Sequence, residues 1–316
     1  MSSVLAQTGA RDQAYLVDNG STDGSDEFVR QRFGGAKVIR FEHNLGFAEA
    51  YNRAVTSITE ELVVFLNNDV EVDENWLAEL KSGFNRSTDR LAACGSKILL
   101  YDDRELINHA GGKLLPIGGG VDLDLMQRDE QGKHRQGFVG CVSGASMAVP
   151  RSFFLSLGGF DSDFFAYFED VDFCWRAWLA GYRVLFVPSS RVFHKLGATM
   201  GTFLSPERLF LGERNRLQSA LKNLELRDLP VALLASCIYT LSRFVGFLRL
   251  RKITAALAIL RGDWWIICHL PKILTKRRCV QQSRRVHDAF LMNHGLMASL
   301  AEGFREFVRL APLRSR

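Results

Sequence analysis

Three polar residues, Asn67-Asn68-Asp69, follow directly on a short apolar run over Glu61–Leu66 that is typical of a buried strand. In an open α/β sheet, ligands bind at the carboxyl ends of the strands. A carboxylate beside amides at such an end suits an oxygen-loving cation such as Mg²⁺. The same residues also fit a turn before the helix that begins near Asn75, and the pattern alone leaves the two interpretations equally open.

A second candidate site is the acidic cluster Glu169-Asp170-Val171-Asp172 at the start of a predicted helix. The helix dipole favours carboxylates there, so helix capping is the plain structural explanation. Asp172 is expected to pair with Arg176, four residues further on. Glu169 and Asp170 have no such neighbour in sequence. Because adjacent carboxylates repel each other, one of them should hold a proton more tightly, which suits a general base.

His194 follows an apolar strand and is the third candidate. A neutral imidazole is a competent ligand for Mn²⁺, so Asp69 and His194 together would offer one divalent ion an oxygen and a nitrogen. An isolated histidine after Phe193 is more commonly a hydrogen-bonded core residue. The spacing does not decide whether the two side chains meet.

The elements that must position these residues alternate between short strands and helical patterns over residues 15–110, which is typical of a mostly parallel α/β sheet. A Gly-rich polar stretch over residues 108–136 predicts a binding loop. The strand expected over Phe138–Pro150 contains Gly144, where a backbone can come close to a ligand. A helix is expected over Glu169–Gly181 and a buried strand over Arg183–Val187.

The composition limits the class of protein. The 316 residues are 47% hydrophobic and 24% charged, which is ordinary for a globular protein of roughly two domains and excludes general disorder. No apolar segment lies in the first twelve residues, so we expect no secretory signal and a cytoplasmic location. Six cysteines without a C-x-x-C pair are expected to be reduced core thiols.

The last third of the chain is helical and different in character. Leu229–Leu248 is strongly apolar but contains Arg243, and a spanning helix needs ~18 or more residues nearly free of charge. We therefore expect an interfacial helix, with Trp264 and Trp265 at the headgroup level and the basic stretch up to His287 beside anionic lipid. A plain helical bundle and a true span remain alternatives. Nucleic-acid binding is disfavoured because aromatic residues are not interleaved with the basic ones.

Five motifs then combine in one order along the chain, and together they resemble those of the family 2 glycosyltransferases. Within that family the chain most resembles bacterial rhamnosyltransferase-like enzymes of cell-surface and cell-wall polysaccharide biosynthesis. The motifs are Val17–Ser25, Asn44–Asn52, Leu66–Asp69, Gly158–Asp161 with Phe168–Asp172, and His194-Lys195.

The resemblance implies a GT-A fold over residues 1–205, a mixed, mostly parallel sheet flanked by helices. Its first half, about 1–110, would bind a nucleotide-diphosphate sugar, and its second half, about 111–205, would shape the acceptor site. Residues 206–316 would form a helical, membrane-associated region. Asp170 matches the catalytic base with Glu169 beside it, and Asp69 and His194 match ligands of a divalent metal, Mg²⁺ or Mn²⁺. The expected nucleotide-sugar-binding residues are Asp18, Asn19, Ser21, Asn44, Gly46, Asn52, Asn68 and Gly144.

The implied activity is an inverting, metal-dependent transfer from a dTDP- or UDP-sugar, with rhamnose expected from resemblance alone. The acceptor would be lipid-linked or a glycan, and the enzyme would lie on the inner face of the cell membrane. The chain departs from the family in two places. Position 67 is Asn where many relatives have Asp, and only residues 1–14 stand where the family has its first strand and helix. We therefore expect the sequence to be N-terminally short, and a non-catalytic membrane scaffold or an inactive truncated fragment is the alternative function.

Overall fold

The computed structural model describes residues 1–87, 89–130, 132–195 and 205–306. Its strands are β1 (Ala14–Asn19), β2 (Ala36–Phe41), β3 (Leu62–Leu66), β4 (Val70–Val72), β5 (Leu91–Leu100), β6 (Ile107–His109), β7 (Gly112–Leu114), β8 (Gly120–Asp122), β9 (Gly137–Phe138), β10 (Ser146–Pro150) and β11 (Arg183–His194). Its helices are α1 (Ser2–Leu5), α2 (Ser25–Arg32), α3 (Phe47–Ser57), α4 (Trp76–Arg86), α5 (Arg151–Ser156), α6 (Glu169–Leu179), α7 (Pro206–Asn223), α8 (Leu229–Arg249), α9 (Ile253–Cys268), α10 (Leu270–Ser283) and α11 (Asp288–Asn293).

A mixed sheet of seven strands forms the centre, in the order β3-β10-β5-β11-β4, with β6 beside β5 and β9 beside β11. The pairing of β5 with β11 is parallel, and the other pairings in this sheet are antiparallel. All but the last residue of β5 are buried, because α4 covers one face of the sheet and α6 covers the other. The mixed α/β architecture expected from the sequence is therefore present, but the expectation that the sheet is mostly parallel is wrong for these seven strands, because one of their six pairings is parallel.

The first two strands stand apart from the central sheet. β1 and β2 pair in parallel as a separate two-stranded sheet, and β3 is an edge strand of the seven-stranded one. The Tyr51 hydroxyl donates to the Leu66 carbonyl at the end of β3. Within the described residues, no strand pairing joins β1 or β2 to β3.

Two expected strands differ in detail from the structure. The strand expected over Phe138–Pro150 is broken into β9 and β10, because the chain between them passes so close to the end segment that a Cβ on Gly140 would lie 2.1 Å from the Leu296 carbonyl oxygen. The strand expected over Arg183–Val187 continues instead to His194. Its register shifts after Val187, which lets β11 accommodate Pro188.

The helices after residue 205 fall into two groups. α7 is buried over most of its length and shares a hydrophobic core with α6 and the central sheet. α8, α9 and α10 carry many exposed apolar residues. Three cysteines are buried as expected, but Cys237, Cys268 and Cys279 are exposed on these outer helices, which corrects the expectation of core thiols there. The division at residues 205/206 stays a prediction.

Candidate active site

Asp69 and His194 meet at one end of the central sheet. Asp69 lies in the turn between β3 and β4, and β4 pairs with the end of β11 so that Val70 faces His194. The His194 Nε2 atom lies 3.1 Å from the Asp69 Oδ1 atom, and each side chain is 14% exposed. The Lys195 N–H also donates to the Asp69 carbonyl oxygen at 2.9 Å. The structure thus brings together two residues that are 125 positions apart in sequence.

The sequence did not single out Asn108, at the centre of β6, which orients the imidazole. The Oδ1 atom of Asn108 lies 3.0 Å from the His194 Nδ1 atom. When Nδ1 donates its proton to that oxygen, the Nε2 lone pair points toward the Asp69 carboxylate, an arrangement that a cation between them would stabilise. Neighbouring ligands of an octahedral ion at about 2.1 Å are about 3 Å apart, so the pair fits such an ion.

The acid pair lies at the start of α6. The Asp170 carboxylate accepts the Gly144 N–H through Oδ2 and the Val171 N–H through Oδ1, both at 2.7 Å. Burial raises the pKa of Glu169 well above its usual value, and the charge of Asp170 adds to this effect. Burial also raises the pKa of Asp170, while the two backbone N–H groups lower it. Burial thus favours the protonated form of Glu169 more strongly than that of Asp170, and it contributes more than the mutual repulsion inferred from sequence.

The segment just before the acid pair is conformationally strained. Phe165, Tyr167 and Phe168 have φ angles of 60°, 72° and 66°, which non-glycine residues rarely adopt. The Phe165 carbonyl accepts the Phe47 and Ala48 N–H groups at the start of α3. A Cβ on Gly46 would lie 2.6 Å from that carbonyl oxygen, so Gly46 permits the close approach. Strain of this kind is concentrated at functional sites.

Asp18 lies at the end of β1 and is only 3% exposed. Its Oδ1 atom accepts the Ser21 N–H at 3.0 Å, and its Oδ2 atom lies 3.3 Å from the Arg40 guanidinium. Arg40 projects from the neighbouring strand β2 and also pairs with Asp26. The sequence pattern did not single out Arg40. Its only indication in the sequence is its place in a strand that mixes polar and apolar residues.

Asn19 joins the two nucleotide-side motifs. Its Nδ2 atom donates to the Asn44 side chain at 3.0 Å and to the Gly46 carbonyl at 3.1 Å, and its Oδ1 atom accepts the Leu45 N–H at 2.9 Å. The structure therefore collects Asp18, Asn19, Ser21, Asn44 and Gly46 at the adjoining ends of β1, β2 and α3. That they bind a nucleotide sugar stays a prediction.

Three other predicted residues have different surroundings. Both polar atoms of the Asn52 side chain bond the Phe160 backbone, at 2.8 and 2.9 Å, so Asn52 supports the turn over Gly158–Asp161. Asn68 lies in the turn beside Asp69. Gly144 contacts the acid pair, since a Cβ there would lie 3.4 Å from the Asp170 carboxylate. Their contact with a nucleotide sugar also stays a prediction.

Comparison with known sequences identifies relatives. A family model described as "Glycosyl transferase family 2" matches residues 1–124. The "N-acetylglucosaminyl-diphospho-decaprenol L-rhamnosyltransferase" of Mycobacterium tuberculosis is 30% identical over 210 residues, which cover 59% of this chain and 67% of that protein. The "Pre-mycofactocin glycosyltransferase" of the same organism is 30% identical over 184 residues, covering 58% of this chain and 37% of that protein.

Comparison with solved structures identifies the fold. A crystal structure of GalNAc-T7 with UDP, GalNAc and Mn²⁺ has a TM-score of 0.55 at 21% identity and covers 70% of this chain and 44% of that one. Residues 1–349 of Staphylococcus aureus TarS, solved with UDP-GlcNAc, have a TM-score of 0.51 at 15% identity and cover 71% of this chain and 62% of that one. At these identities the likeness concerns the fold alone.

Proposed function

Because the chain belongs to glycosyl transferase family 2 and has the GT-A fold of a hexosyltransferase, we propose that it is an inverting, metal-dependent enzyme that uses a nucleotide-diphosphate sugar. The observation that carries the proposal is the contact between Asp69 and His194, with Nε2 and Oδ1 separated by 3.1 Å. This pair supplies one nitrogen and one oxygen ligand, which suit Mn²⁺ or Mg²⁺. The GalNAc-T7 structure, described with Mn²⁺, supports a divalent ion by analogy.

Asp69 and His194 would hold the ion, and Asn108 would fix the ring orientation of His194. A divalent ion bound there would neutralise the negative charge that develops on the leaving nucleotide diphosphate. Position 67 offers an amide, so Asp69 is the single carboxylate that the turn after β3 gives to the site. The phosphates of the donor are therefore expected to complete the coordination.

Asp170 would take the proton from the acceptor hydroxyl as that oxygen attacks the anomeric carbon. The two backbone N–H groups that it accepts hold its oxygens in place. Asp170 is the better base of the pair, because the Gly144 and Val171 N–H groups lower its pKa, whereas burial and the charge of Asp170 raise the pKa of Glu169 well above its usual value. Direct attack from the face opposite the leaving group inverts the anomeric configuration and needs no covalent intermediate.

Rhamnose is the donor sugar that we propose, carried by thymidine or uridine diphosphate. The support is the rhamnosyltransferase of Mycobacterium tuberculosis, whose name describes a lipid-linked acceptor. By analogy this chain would act on a lipid-linked or glycan acceptor in cell-wall polysaccharide synthesis. The proposed location is the cytoplasmic face of the membrane.

An apolar stripe on α8 supports attachment to that face. Val231, Leu234, Ile238 and Leu241 are spaced three or four residues apart, and each is 61–65% exposed. α9 adds Trp264, 66% exposed, directly after Asp263. With 21 residues, α8 also meets the length and composition of a membrane span, whereas α9 and α10 do so only together and are bent by 71°. We favour the interfacial arrangement, and spanning by α8 is the alternative.

The basic stretch contributes less to lipid attraction than its sequence indicates. Lys272 and Lys276 pair with acids of the turn at residues 161–163, and Arg277 donates to the Leu221 and Leu224 carbonyls. Arg284 pairs with Asp288. These four are among the six positive charges of the stretch and have partners inside the protein. The proposed attraction to anionic lipid therefore depends on the other two, Arg278 and Arg285, and on the charges at the end of α8, Arg249, Arg251 and Lys252.

The test is a transfer assay with the full chain, a lipid-linked acceptor in anionic vesicles, Mn²⁺, and labelled dTDP-rhamnose or UDP-sugars in turn. We expect transfer that stops when EDTA is added and returns with Mn²⁺. Calorimetry with the same donors separates the rival function, because a scaffold would bind none of them. A chain that binds no donor in the presence of Mn²⁺ would contradict the proposal.

Vesicle sedimentation tests the membrane contact separately. The wild type should sediment with anionic vesicles. The double variant Leu234→Glu and Ile238→Glu should stay in the supernatant, because it places two negative charges in the exposed stripe. The matched control is Phe28→Glu, which alters an apolar residue, 55% exposed, on α2. Equal sedimentation of all three proteins would remove the proposed surface.

A further inference from the structure

Asn215, in the middle of α7, is fully buried and makes an unusual set of contacts for a helix residue. Its Nδ2 atom lies 2.9, 2.8 and 2.8 Å from the carbonyl oxygens of Phe164, Ala166 and Tyr167, so its two hydrogens are shared among three acceptors. All three acceptors belong to the strained segment that leads into the acid pair. One side-chain amide thus serves three of the five consecutive carbonyl groups over residues 164–168.

The neighbouring residue Arg214 holds the same segment. Its Nη2 atom donates to the Asp163 and Phe164 carbonyls, at 2.6 and 2.9 Å, and its Nε atom donates to the Asn215 Oδ1 atom at 2.9 Å. Because Arg214 itself orients the Asn215 amide, the two side chains act as one unit. Buried carbonyls need such partners, since leaving them unbonded is costly.

The held segment touches both sides of the candidate site. The Phe165 carbonyl accepts the N–H groups of Phe47 and Ala48 at the start of α3, on the nucleotide side. Three residues beyond it, the chain passes through Phe168, which is left-handed and directly precedes Glu169 and Asp170. A shift of this segment would therefore move the carboxylate relative to the nucleotide side.

We propose that Asn215, oriented by Arg214, is a positioning residue that holds segment 164–168 in its strained conformation and so aligns Asp170 for the transfer. The inference rests on the proposed function, and it adds to it a residue of the C-terminal helices. Such alignment acts on turnover more than on donor binding, because the segment lies between the donor side and the base without being part of the Asp69–His194 pair. The amide suits this role, since a carboxylate there would face three carbonyl oxygens.

The experiment compares Asn215→Ala with Asn223→Ala. Asn223 is also fully buried on α7, and its amide donates to Asp172, which has a structural role, at 3.0 Å. Each variant loses a buried amide from the same helix, so both should lower the midpoint of thermal unfolding to a similar extent. Turnover should fall about 100-fold in Asn215→Ala, with little change in the dissociation constant of the donor, and should stay close to wild type in Asn223→Ala.

A second variant protects the test against misfolding. Asn215→Ser keeps one short donor and should lose less turnover than Asn215→Ala. Loosening the segment admits water to the acid pair, so the acid limb of the pH–rate profile should move to lower pH in both Asn215 variants and not in Asn223→Ala. Equal turnover in Asn215→Ala and Asn223→Ala would overturn the proposal.

Hydrogen exchange separates this proposal from the proposed function. The Phe47 and Ala48 amides should exchange faster in Asn215→Ala than in wild type, and should be unchanged in Asn223→Ala, whether or not the protein transfers sugar. Unchanged exchange in both variants would overturn the positioning role. Wild-type turnover in Asp170→Asn would instead overturn the base assignment and leave the exchange result standing.

Discussion

The acid-pair side and the metal side of the candidate site are built in different ways. On the acid-pair side, buried ion pairs join α6, α7 and α10 around the turn that precedes the base. On the metal side, Asp69 and His194 are each partly exposed, and His194 is oriented by Asn108 at the centre of β6. If the proposed function is correct, the protein itself would fix the position of the base, whereas the donor and its ion would complete the other side.

Asp161 is the centre of the buried network. It pairs with Lys222 of α7 and Lys276 of α10, and it is 7% exposed. Burial alone would raise the pKa of Asp161, but the two lysines outweigh it and hold that pKa below its usual range. Asp172 extends the network by pairing with Arg176, which confirms the pair expected from sequence, and with Lys222.

The largest expected effect is on folding. Asp161→Asn removes the charge that offsets Lys222 and Lys276, so the free energy of unfolding should fall by about 3–5 kcal/mol. Asp163→Asn is the matched control and should cost less, because its partners Lys272 and Lys276 are 55% and 27% exposed, whereas Lys222, a partner of Asp161, is 2% exposed. Urea unfolding of both variants measures the difference. Equal losses of unfolding free energy in the two variants would show that the buried ion pairs of Asp161 stabilise the fold no more than those of Asp163.

The same network should make stability depend on pH. Because the pKa of folded Asp161 is lowered, its contribution is fully present above the unfolded value of 3.8 and is lost as pH falls through the folded pKa. The unfolding midpoint of the wild type should therefore fall in strongly acidic solution, and Asp161→Asn should lack that part of the fall. Parallel pH profiles for the two proteins would contradict the charge assignment.

On the metal side, His194→Ala should weaken Mn²⁺-dependent donor binding by more than the roughly 100-fold that losing a residue that only orients a metal ligand can cost. His287→Ala is the control, because His287 is a surface histidine 75% exposed in its side chain. Both variants should unfold close to wild type. Calorimetry with and without Mn²⁺ measures the binding, and unchanged affinity in His194→Ala would assign the ion elsewhere.

A smaller effect is expected from Asn108, which contacts the proposed metal ligand His194. Asn108→Ala should lower Mn²⁺ affinity by roughly 10- to 100-fold, because His194 loses the partner that orients its ring. Added Mn²⁺ should restore turnover, which it cannot do in Asp170→Asn. An Asn108→Ala protein that saturates at wild-type Mn²⁺ concentrations would show that ring orientation is set by other contacts.

The smallest change concerns Glu169. Burial and the charge of Asp170 raise the pKa of Glu169 well above its usual value, which favours its neutral form, so Glu169→Gln should lower turnover less than Asp170→Asn does. The acid limb of the pH–rate profile should remain and reflect the raised pKa of Asp170, with activity rising as that carboxyl loses its proton. Loss of the limb in Glu169→Gln would make Glu169 the base.

Much of the fold was predictable from the sequence. Apolar runs and turn residues located β3 and α6 to within about two residues, because local pattern and burial agree there. The meeting of Asp69 with His194 could not be predicted from spacing. It depends on the antiparallel register of β4 against β11, which is long-range pairing.

The proposed positioning residues Arg214 and Asn215 could not be predicted from the sequence for a different reason. α7 contains buried Glu213, Arg214, Asn215 and Lys222, and charged residues in a helix pattern are ordinarily assigned to the solvent face. The packing of α6, α8, α9 and α10 against α7 buries them. Asn108 likewise belongs to no motif, and its role follows from the pairing of β6 with β5, which brings it within reach of His194.

The most direct test of the account measures Asp170→Asn for both donor binding and transfer. Calorimetry with nucleotide-diphosphate sugar and Mn²⁺ should give a dissociation constant close to wild type, because Asp69 and His194 are intact. Turnover in the transfer assay should fall by roughly 10²- to 10⁴-fold, since the acceptor hydroxyl loses its base. Transfer at the wild-type rate by a folded Asp170→Asn protein would contradict the central claim.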